Sequence, residues 1–291
     1  MAKLQITEFT DPACPFAWSA EPVRYRLRWL YGEQLSWQLR MVGLAESPQE
    51  YEEKGFTPER QAASFRRLAH DHHMPIDSSP RPRVAATMPA CRAVVAVRRH
   101  LPDHERAMLR VLRILHFSGW PLDEAQTTVA GAQRVGIDAE RLEQWIAEPE
   151  TEELLRRDLE LSRHPDPSAL ALSHKLAAIG DGSGYRHRYT CPSYEIERSS
   201  DSDGARSAFT VPGFQPLAAY EVAIANLCPS AERRADPADV EEVLAWAGDA
   251  LATAEVAAVC VIELEDARER LGRVAAEEHI GSDGLWRLNG V

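Results

Sequence analysis

The stretch TDPACPFAWS, residues 10–19, joins a strand-like pattern to a helix-like pattern. Apolar and polar side chains alternate over residues 4–7, which predicts a β-strand. Residues 15–31 then show helical spacing of apolar side chains, with a proline tolerated in the first turn. The segment LSWQLRMVGL, residues 35–44, alternates again and predicts a second strand. Strand, helix and strand in this order form a right-handed crossover unit, and Cys14 lies at its first strand-to-helix turn.

Cys14 is the candidate nucleophile of this turn. A free cysteine has a pKa near 8.5, so most of it is protonated at neutral pH. Unpaired backbone N–H groups and the positive end of the dipole at a helix N-terminus favour the thiolate. Asp11 works against this activation by placing a negative charge nearby. The alternative interpretation is a small residue buried under the turn, because free cysteine is often buried.

Composition narrows the class of protein. The 291 residues carry a formal net charge of −12, which argues against a general nucleic-acid binder. No run is long and apolar enough to span a bilayer. The N-terminal sequence lacks an apolar signal core, so we expect a cytoplasmic protein, and the heavy use of alanine and arginine indicates a bacterial source. Five scattered cysteines without a Cys-x-x-Cys pair indicate neither a disulfide framework nor a structural zinc site.

The chain changes character after the second strand. Residues of about 48–180 are predicted to form a large helical insertion, with a break in its last long helix at Pro149. The segments 189–198 and 205–214 are predicted to pair as a hairpin through the polar turn SSDSDG, and 215–227 to form a helix.

Residues 229–291 form a separate predicted unit. They hold 14 acidic and 6 basic residues, which gives a net charge of −8. Three short helices and one strand are expected, in a small helix-turn-helix-like, acidic extension. The negative charge has the wrong sign for reading DNA.

The order of these elements resembles the DsbA-like branch of the thioredoxin superfamily. That branch includes cytoplasmic disulfide oxidoreductases, kappa-class glutathione transferases and 2-hydroxychromene-2-carboxylate isomerases. The segments that carry the resemblance are DPACPFAW (11–18), TMPACR (87–92), TCPSYEI (190–196) and VPGFQPLAAYEVAI (211–224). It covers about residues 3–227, and it implies an α/β, thioredoxin-like domain over 1–228 with the helical insertion inside it.

The turn departs from both family patterns, which are Cys-Pro-x-Cys in the oxidoreductases and Ser-Pro-x-x in the other two groups. Here Ala17 stands where a resolving cysteine would be. The resemblance places Pro192 at the family's cis-proline, so that Cys191 faces Cys14. We therefore hypothesise that these two cysteines form a disulfide. Alternatively they share a soft metal, or Cys191 only fills a small polar position.

The resemblance and the residues together give a candidate site. The predicted catalytic residues are Cys14, Cys191 and Pro192. The predicted substrate-binding residues are Pro15, Phe16, Ala17, Trp18, Thr87 and Arg188. The aromatic pair beside the thiol would form an apolar rim, and the arginine could bind a substrate carboxylate.

Two further motifs are open to more than one interpretation. The histidines of HDHH, residues 70–73, could bind zinc or copper but are more typical of a solvated helix end. No metal is predicted. Cys91 either faces the family cleft or belongs to the core.

The predicted function is a thiol-disulfide oxidoreductase in which Cys14 forms a mixed disulfide that a small thiol or Cys191 releases. No tightly bound cofactor is expected, but a low-molecular-weight thiol of the glutathione or mycothiol type could take part. Partners would be that thiol or a protein disulfide, with no nucleic acid and no membrane. The alternatives are a glutathione-type transferase or isomerase, and a non-catalytic module that binds a partner through 229–291.

Overall fold

The computed structural model describes residues 4–180, 184–198 and 208–290. The chain opens with two strands and two helices: β1 Leu4–Thr10, α1 Pro15–Ser19, α2 Glu21–Tyr31 and β2 Leu35–Met41. Strands β1 and β2 are parallel, with Leu4 paired to Leu35. Cys14 lies between β1 and α1, as predicted.

The single helix predicted for residues 15–31 is wrong, because the helix breaks at Ala20. Pro22 lies in the first turn of α2. A proline has no backbone N–H, and its ring clashes with the carbonyl four residues earlier, which here belongs to Trp18. The short helix α1 therefore ends, and α2 starts as a separate helix.

The insertion is helical, as predicted. Its helices are α3 Pro48–Glu53, α4 Pro58–His72, α5 Met88–His100, α6 Glu105–Phe117, α7 Ala125–Arg134, α8 Ala139–Ile146, α9 Pro149–Ser162 and α10 Pro167–Leu170. Short 3₁₀ turns cover Gly32–Gln34, Pro102–His104 and Ser173–Lys175. A two-stranded antiparallel ladder, β3 Ala177–Ala178 and β4 His187–Arg188, follows. The break predicted at Pro149 is confirmed, since this proline starts α9.

Two antiparallel strands and a helix complete the central layer: β5 Ser193–Arg198, β6 Ala208–Val211 and α11 Leu217–Leu227. The four-stranded sheet has the order β2-β1-β5-β6. The predicted hairpin is confirmed by the pairing of β5 with β6, whereas its turn at 199–204 lies outside the described residues.

The C-terminal unit contains more sheet than predicted. Its elements are α12 Val240–Ala247, β7 Leu251–Ala252, α13 Thr253–Cys260, α14 Leu264–Val274, β8 Ala275–Ile280 and β9 Asp283–Leu288. The three strands form an antiparallel sheet of order β7-β9-β8. Residues 275–278, expected to continue a helix, instead start β8, which pairs with β9. Across the described residues, no helix is both long and apolar enough to cross a bilayer.

The C-terminal unit packs against α2, and we call this contact the seam. Trp29 of α2 donates its Nε1–H to the carbonyl oxygen of Ala235 at 2.8 Å, and Arg26 donates to that of Val259 at 2.8 Å. Apolar side chains of the central sheet, α2 and α12–α14 form one continuous hydrophobic core. The unit therefore shares its core with the rest of the chain.

A buried group of charges, the seam ion network, fastens the same contact. Its members are Glu8, Glu21, Arg24, Arg110, Arg113 and Glu255. Arg110 donates to both carboxylate oxygens of Glu255 at 2.8 Å. Glu21 accepts from Arg113 at 2.5 Å and also pairs with Arg24. Charges at this depth are tolerated only when they are paired, so each member depends on the others.

Candidate active site

The predicted nucleophile, Cys14, is held by the short helix that follows it. Cys14 is the N-cap residue of α1, with an extended backbone at φ −74° and ψ 113°. Its carbonyl accepts a hydrogen bond from the Trp18 N–H at 3.1 Å. The side chain has only 6% of its surface exposed, and the backbone N–H of Ala17 helps to lower the pKa of its thiol. The turn therefore aims donors at a sulfur that is shielded from water.

Cys191 lies directly against Cys14. The Cys191–Pro192 peptide bond is cis, at the position where the resemblance places it. The Cys14 Sγ donates to the carbonyl oxygen of Cys191 at 3.2 Å, and both cysteines are free thiols. The structure thus brings together all three predicted catalytic residues.

The two thiols have opposite pKa shifts. A hydrogen bond from the Cys191 thiol is the main cause that lowers the pKa of Cys14, while burial opposes it. Burial first, and then this same bond, raise the pKa of Cys191 well above its ordinary value. Cys14 is therefore the more easily ionised thiol of the pair, and a hydrogen bond from Cys191 favours its thiolate form.

Asp11 links the active-site turn by hydrogen bonds to two other segments of the chain. Its carboxylate accepts from the N–H of Ala13 at 2.8 Å and from that of Leu44 at 3.0 Å, and from the Thr87 hydroxyl at 2.9 Å. Burial raises the pKa of Asp11, and its charge opposes ionisation of Cys14, as expected from the sequence.

Thr87 is not a substrate-binding residue as predicted. It is fully buried, and besides its bond to Asp11 it accepts from the N–H of Leu44 at 3.1 Å. Its role is to fasten the start of α5 to the active-site turn. Cys91, one turn further along α5, is also fully buried and contacts Asp11 at 3.6 Å, so it belongs to the core.

Trp18 does not line the cleft as predicted, because its side chain is fully buried. Its Nε1–H donates to the carbonyl oxygen of Pro75 at 2.9 Å, and its ring stacks on Phe117 at 5.7 Å. Helix α1 is only five residues long, and two residues as close as Phe16 and Trp18 lie on its exposed face and its buried face. The sequence could not show which of two neighbouring aromatic residues would face the cleft.

Phe16 does form an exposed rim beside the thiol, together with two residues that the sequence did not single out for this role. Its ring lies 6.2 Å from that of Phe214 and 6.4 Å from that of His72. The rings of His72 and Phe214 are 4.7 Å apart. This aromatic rim joins three distant segments of the chain, and burial lowers the pKa of His72, so its imidazole is neutral at physiological pH.

The remaining predicted substrate-binding residues lie near the two cysteines. Pro15 is partly exposed and Ala17 is buried beneath the turn. Arg188 is half-buried and donates to the carbonyl oxygen of Tyr189 at 2.8 Å. Its charge acts to lower the pKa of Cys191, which places it close to that thiol. Arg188 thus places a positive charge near Cys191, as Arg113 does for Cys14.

Two tyrosines near the site were not predicted. The ring of Tyr189 lies 4.3 Å from that of Phe9, in the same buried cluster as both cysteines. Tyr51 of α3 is also buried, and its pKa is raised by that burial and by the negative charges of Asp11 and Cys14. The position of Tyr189 two residues before Cys191 was an available signal, whereas nothing in the sequence connected α3 to the turn.

The histidines of HDHH do not converge on a ligand. His70 and His73 are exposed, and His70 bonds to the neighbouring Asp71 at 3.0 Å. Among residues 4–180, 184–198 and 208–290, no group of three or more potential metal ligands comes together.

The sequence matches the DSBA-like thioredoxin domain over residues 5–164, which is more than half of the chain. This chain belongs to the DSBA-like thioredoxin domain family. The match includes the active-site turn and ends before the Cys191–Pro192 loop, so the loop is placed by the structure. A search of curated proteins gave no match for this DsbA-like chain.

Two solved structures with TM-scores above 0.5 support the same fold. A structure described as a protein disulfide isomerase from Nitrosomonas europaea is 16% identical, has a TM-score of 0.53, and covers 78% of this chain and 97% of its own. A structure described as a DsbA oxidoreductase from Streptomyces coelicolor is 15% identical, with a TM-score of 0.52 and coverages of 81% and 94%. The cytosolic disulfide reductase DsbM from Pseudomonas aeruginosa is 16% identical, with a TM-score of 0.47 and coverages of 70% and 88%.

The predicted fold class is confirmed: an α/β, thioredoxin-like DsbA fold with a helical insertion. The predicted class of enzyme, a thiol-disulfide oxidoreductase, is confirmed at the level of the family. How the incomplete Cys-Pro-Phe-Ala motif works, which small thiol serves it and whether it acts in the cytoplasm stay predictions.

Proposed function

We propose that this DsbA-like chain is a disulfide reductase whose resolving thiol lies on the cis-proline loop instead of in the active-site motif. Cys14 is the attacking residue and Cys191 the resolving residue. The observation that carries the proposal is the direct contact between these two cysteines, at the turn where Ala17 replaces the usual second thiol.

The first step is an attack by the Cys14 thiolate on one sulfur of a substrate disulfide. A bond forms between the Cys14 Sγ and that sulfur, and the second substrate sulfur leaves as a thiolate that takes a proton from solvent. The low pKa of Cys14 supports this role, because only the thiolate is nucleophilic. The rim of Phe16, His72 and Phe214 would hold the apolar part of the substrate.

The second step is an attack by Cys191 on the Cys14 sulfur of the mixed disulfide. Cys191 loses its proton, the remaining substrate sulfur leaves as a thiol, and a Cys14–Cys191 disulfide forms. The high pKa of Cys191 in the resting state falls once Cys14 is bonded, because the neighbouring thiolate that opposes its ionisation has gone. Arg188 favours the Cys191 thiolate at that moment.

Two equivalents of a low-molecular-weight thiol of the glutathione or mycothiol class then restore both cysteines. The substrate gains two electrons and the small thiol loses two, as it becomes a disulfide. The protein holds no cofactor through this cycle. We propose that the cycle runs in the cytoplasm, where such thiols keep cysteines reduced.

The direct test is the reaction of the reduced chain with a chromogenic aromatic disulfide, followed by absorbance and intact mass. Wild type should release two thiols per chain and end as an internal disulfide. Cys191→Ser and Cys191→Ala should each release one thiol and retain a mixed disulfide, and Cys14→Ser should release none. A wild-type chain that keeps the adduct would overturn the resolving role of Cys191.

A control addresses the other thiols. Cys260 is the partly exposed cysteine of the C-terminal unit, and burial raises its pKa to about 11. It should therefore react slowly, and Cys260→Ser should leave the stoichiometry unchanged. An activity that needs a thiol cofactor and survives Cys14→Ser at least in part would instead favour the transferase or isomerase alternative.

The rate of alkylation against pH separates the two roles of Cys191. Serine keeps a hydrogen-bond donor for the Cys14 thiolate, whereas alanine removes it. The pKa of Cys14 should stay low in Cys191→Ser and rise in Cys191→Ala, although neither variant can resolve a mixed disulfide. Equal pKa values in wild type and Cys191→Ala would show that Cys191 does not activate Cys14.

A further inference from the structure

A second cavity lies on the seam, apart from the active site. Its volume is about 610 Å³, within the range of roughly 300–1,000 Å³ typical of small-molecule sites. It opens between α2, β2, the start of α6 and the link from α12 to β7. Its lining includes Arg24, Arg28, Trp37, Arg106, Arg110 and Asp249. None of the residues around Cys14 contributes to it.

The cavity is basic although the chain as a whole is acidic. Its lining contains five arginines, which outnumber its three carboxylates. Arg110 is already neutralised by Glu255, and Arg24 by Glu21. Arg106 pairs with Glu8 at 2.8 Å. Arg28 is also shielded from solvent, and no described carboxylate of the cavity balances its charge.

Arg28 has aromatic neighbours in place of an anion. Its guanidinium lies over the rings of Tyr25 at 5.4 Å and Trp246 at 5.3 Å. Within the part of the chain that the structure describes, no carboxylate forms an ion pair with it. Burial, followed by the positive charges of Arg24 and Arg106, lowers its pKa. The charge of Arg28 is therefore held in place without a partner.

Besides the Nε of Arg110, which lies 3.2 Å from a carboxylate oxygen of Asp249, three buried donors of the lining lack acceptors in the described residues. They are the Nη1 of Arg24, the Nη1 of Arg106 and the Nε1 of Trp37. Arg24 is only 2% exposed, so this unpaired N–H is expensive unless something accepts its hydrogen bond. These donors lack acceptors, and the same cavity contains a cation without a counter-ion. An anion that accepts hydrogen bonds would satisfy both.

We propose that this cavity binds a small organic anion that carries a phosphate or carboxylate group. The guanidinium groups of Arg24, Arg28 and Arg106 would hold the charged group, because arginine matches the geometry of both anions with paired N–H donors. The cavity is larger than an inorganic anion needs, and Tyr25, Leu39 and Val111 offer apolar surface for the rest of the molecule. The site goes beyond the proposed disulfide chemistry and does not depend on it.

Calorimetric titration of the full chain at low salt tests the proposal, with phenyl phosphate and inorganic phosphate as probes. Phenyl phosphate should bind and raise the unfolding temperature, and it should bind more tightly than inorganic phosphate. Equal affinities would overturn the organic part of the proposal. No binding of either probe, or a stabilisation that sodium chloride of equal ionic strength reproduces, would overturn the site itself.

Two variants and two controls locate the binding. Arg28→Met should weaken phenyl phosphate binding about tenfold or more, whereas Arg28→Lys should retain part of it because the charge remains. Trp37→Phe keeps the ring but removes one donor, and should weaken binding by a few-fold. Arg156→Met, at an exposed position on α9, should leave the affinity unchanged.

The proposed disulfide chemistry and the proposed anion site can be overturned independently of each other. Cys14→Ser should bind phenyl phosphate as wild type does, since the cavity lies away from the thiol. Arg28→Met should release two thiols per chain in the disulfide assay. Unchanged affinity in both Arg28→Met and Trp37→Phe, with circular dichroism showing folded chains, would place any bound anion elsewhere.

Discussion

The active-site turn and the seam are both buried, yet different forces hold them. Around Cys14 the structure uses hydrogen bonds from backbone N–H groups, a hydroxyl and a thiol, centred on Asp11 and Cys191. At the seam it uses pairs of full charges, centred on Arg110 and Glu255. Hydrogen bonds tune a thiol without fixing its charge, so it can lose and regain a proton, whereas paired charges make a contact that is hard to open.

The largest expected effect comes from breaking one charge pair at the seam. Glu255→Gln leaves Arg110 buried without its bidentate partner, and the free energy of unfolding should fall by about 3–5 kcal/mol. Urea unfolding followed by tryptophan fluorescence measures it. Adding Arg110→Met to this variant should restore part of the loss, because the unpaired charge is removed.

The matched control is Glu241→Gln, an exposed position on the neighbouring helix α12. It should change stability by less than about 0.5 kcal/mol. If Glu255→Gln were as mild as this control, the seam would not depend on its charges.

A smaller effect is expected where the C-terminal unit reaches toward the active site. Gly281, in the turn between β8 and β9, has φ +60°, and a Cβ there would lie 2.0 Å from the carbonyl oxygen of Ile76. Ile76 belongs to the loop in which the carbonyl oxygen of Pro75 accepts the hydrogen bond from the Trp18 Nε1–H. Gly281→Ala should lower the free energy of unfolding by about 2–3 kcal/mol, because backbone must move to admit the methyl group.

Gly136→Ala is the control for that variant. Gly136 has φ +74°, but no atom lies within 4 Å of the added Cβ. The loss there should be only about 1 kcal/mol, from backbone strain alone. Thermal unfolding of both variants, with the alkylation rate of Cys14 as a second readout, compares them. Equal losses would mean that the turn of the hairpin does not support the loop at residues 75–77.

The smallest effect concerns Asp11, the buried carboxylate of the active-site turn. Burial raises the pKa of Asp11 above its ordinary value of 3.8, so the folded state holds its proton more firmly than the unfolded state. The stability that this proton contributes is complete below about pH 3.8 and is lost as the pH rises through the folded-state pKa. Wild type should therefore lose stability relative to Asp11→Asn as the pH is raised from 4 to 7. Urea unfolding of both chains across this pH range measures the difference.

The same variant has a consequence for the thiol. The charge of Asp11 raises the pKa of Cys14, so Asp11→Asn should lower it further, as measured by alkylation against pH. A stability difference that is flat between pH 4 and 7 would show that Asp11 titrates alike in both states.

The sequence predicted what depends on local pattern. Sequence patterns identified the strands of the central sheet, and prolines marked several helix starts, including that of α9 at Pro149. Pro22 carried the signal for the break at Ala20, but a continuous apolar stripe outweighed it. The placement of Cys191 against Cys14 came from the family resemblance, since no local pattern joins residues so far apart in sequence.

The sequence could not predict what depends on which surfaces meet. Thr87 and Trp18 have the right chemistry for a cleft, but both are covered by segments distant in the chain. The cavity on the seam is a stronger case, because it exists only where Arg24, Arg106 and Asp249 come together. Periodicity shows which face of a helix is apolar. It does not show which other segment of the chain packs over the charged residues beside that face.

The seam also affects the order in which the chain can fold during its synthesis. Helix α2 is synthesised before the C-terminal unit, yet Arg26 hydrogen-bonds to Val259, 233 residues later. The apolar surfaces of Trp29 and Tyr25 therefore stay uncovered until the C-terminal unit has been synthesised. During that interval the nascent chain is exposed to chaperones and to aggregation, and Cys14 is synthesised long before the C-terminal unit can pack against α2.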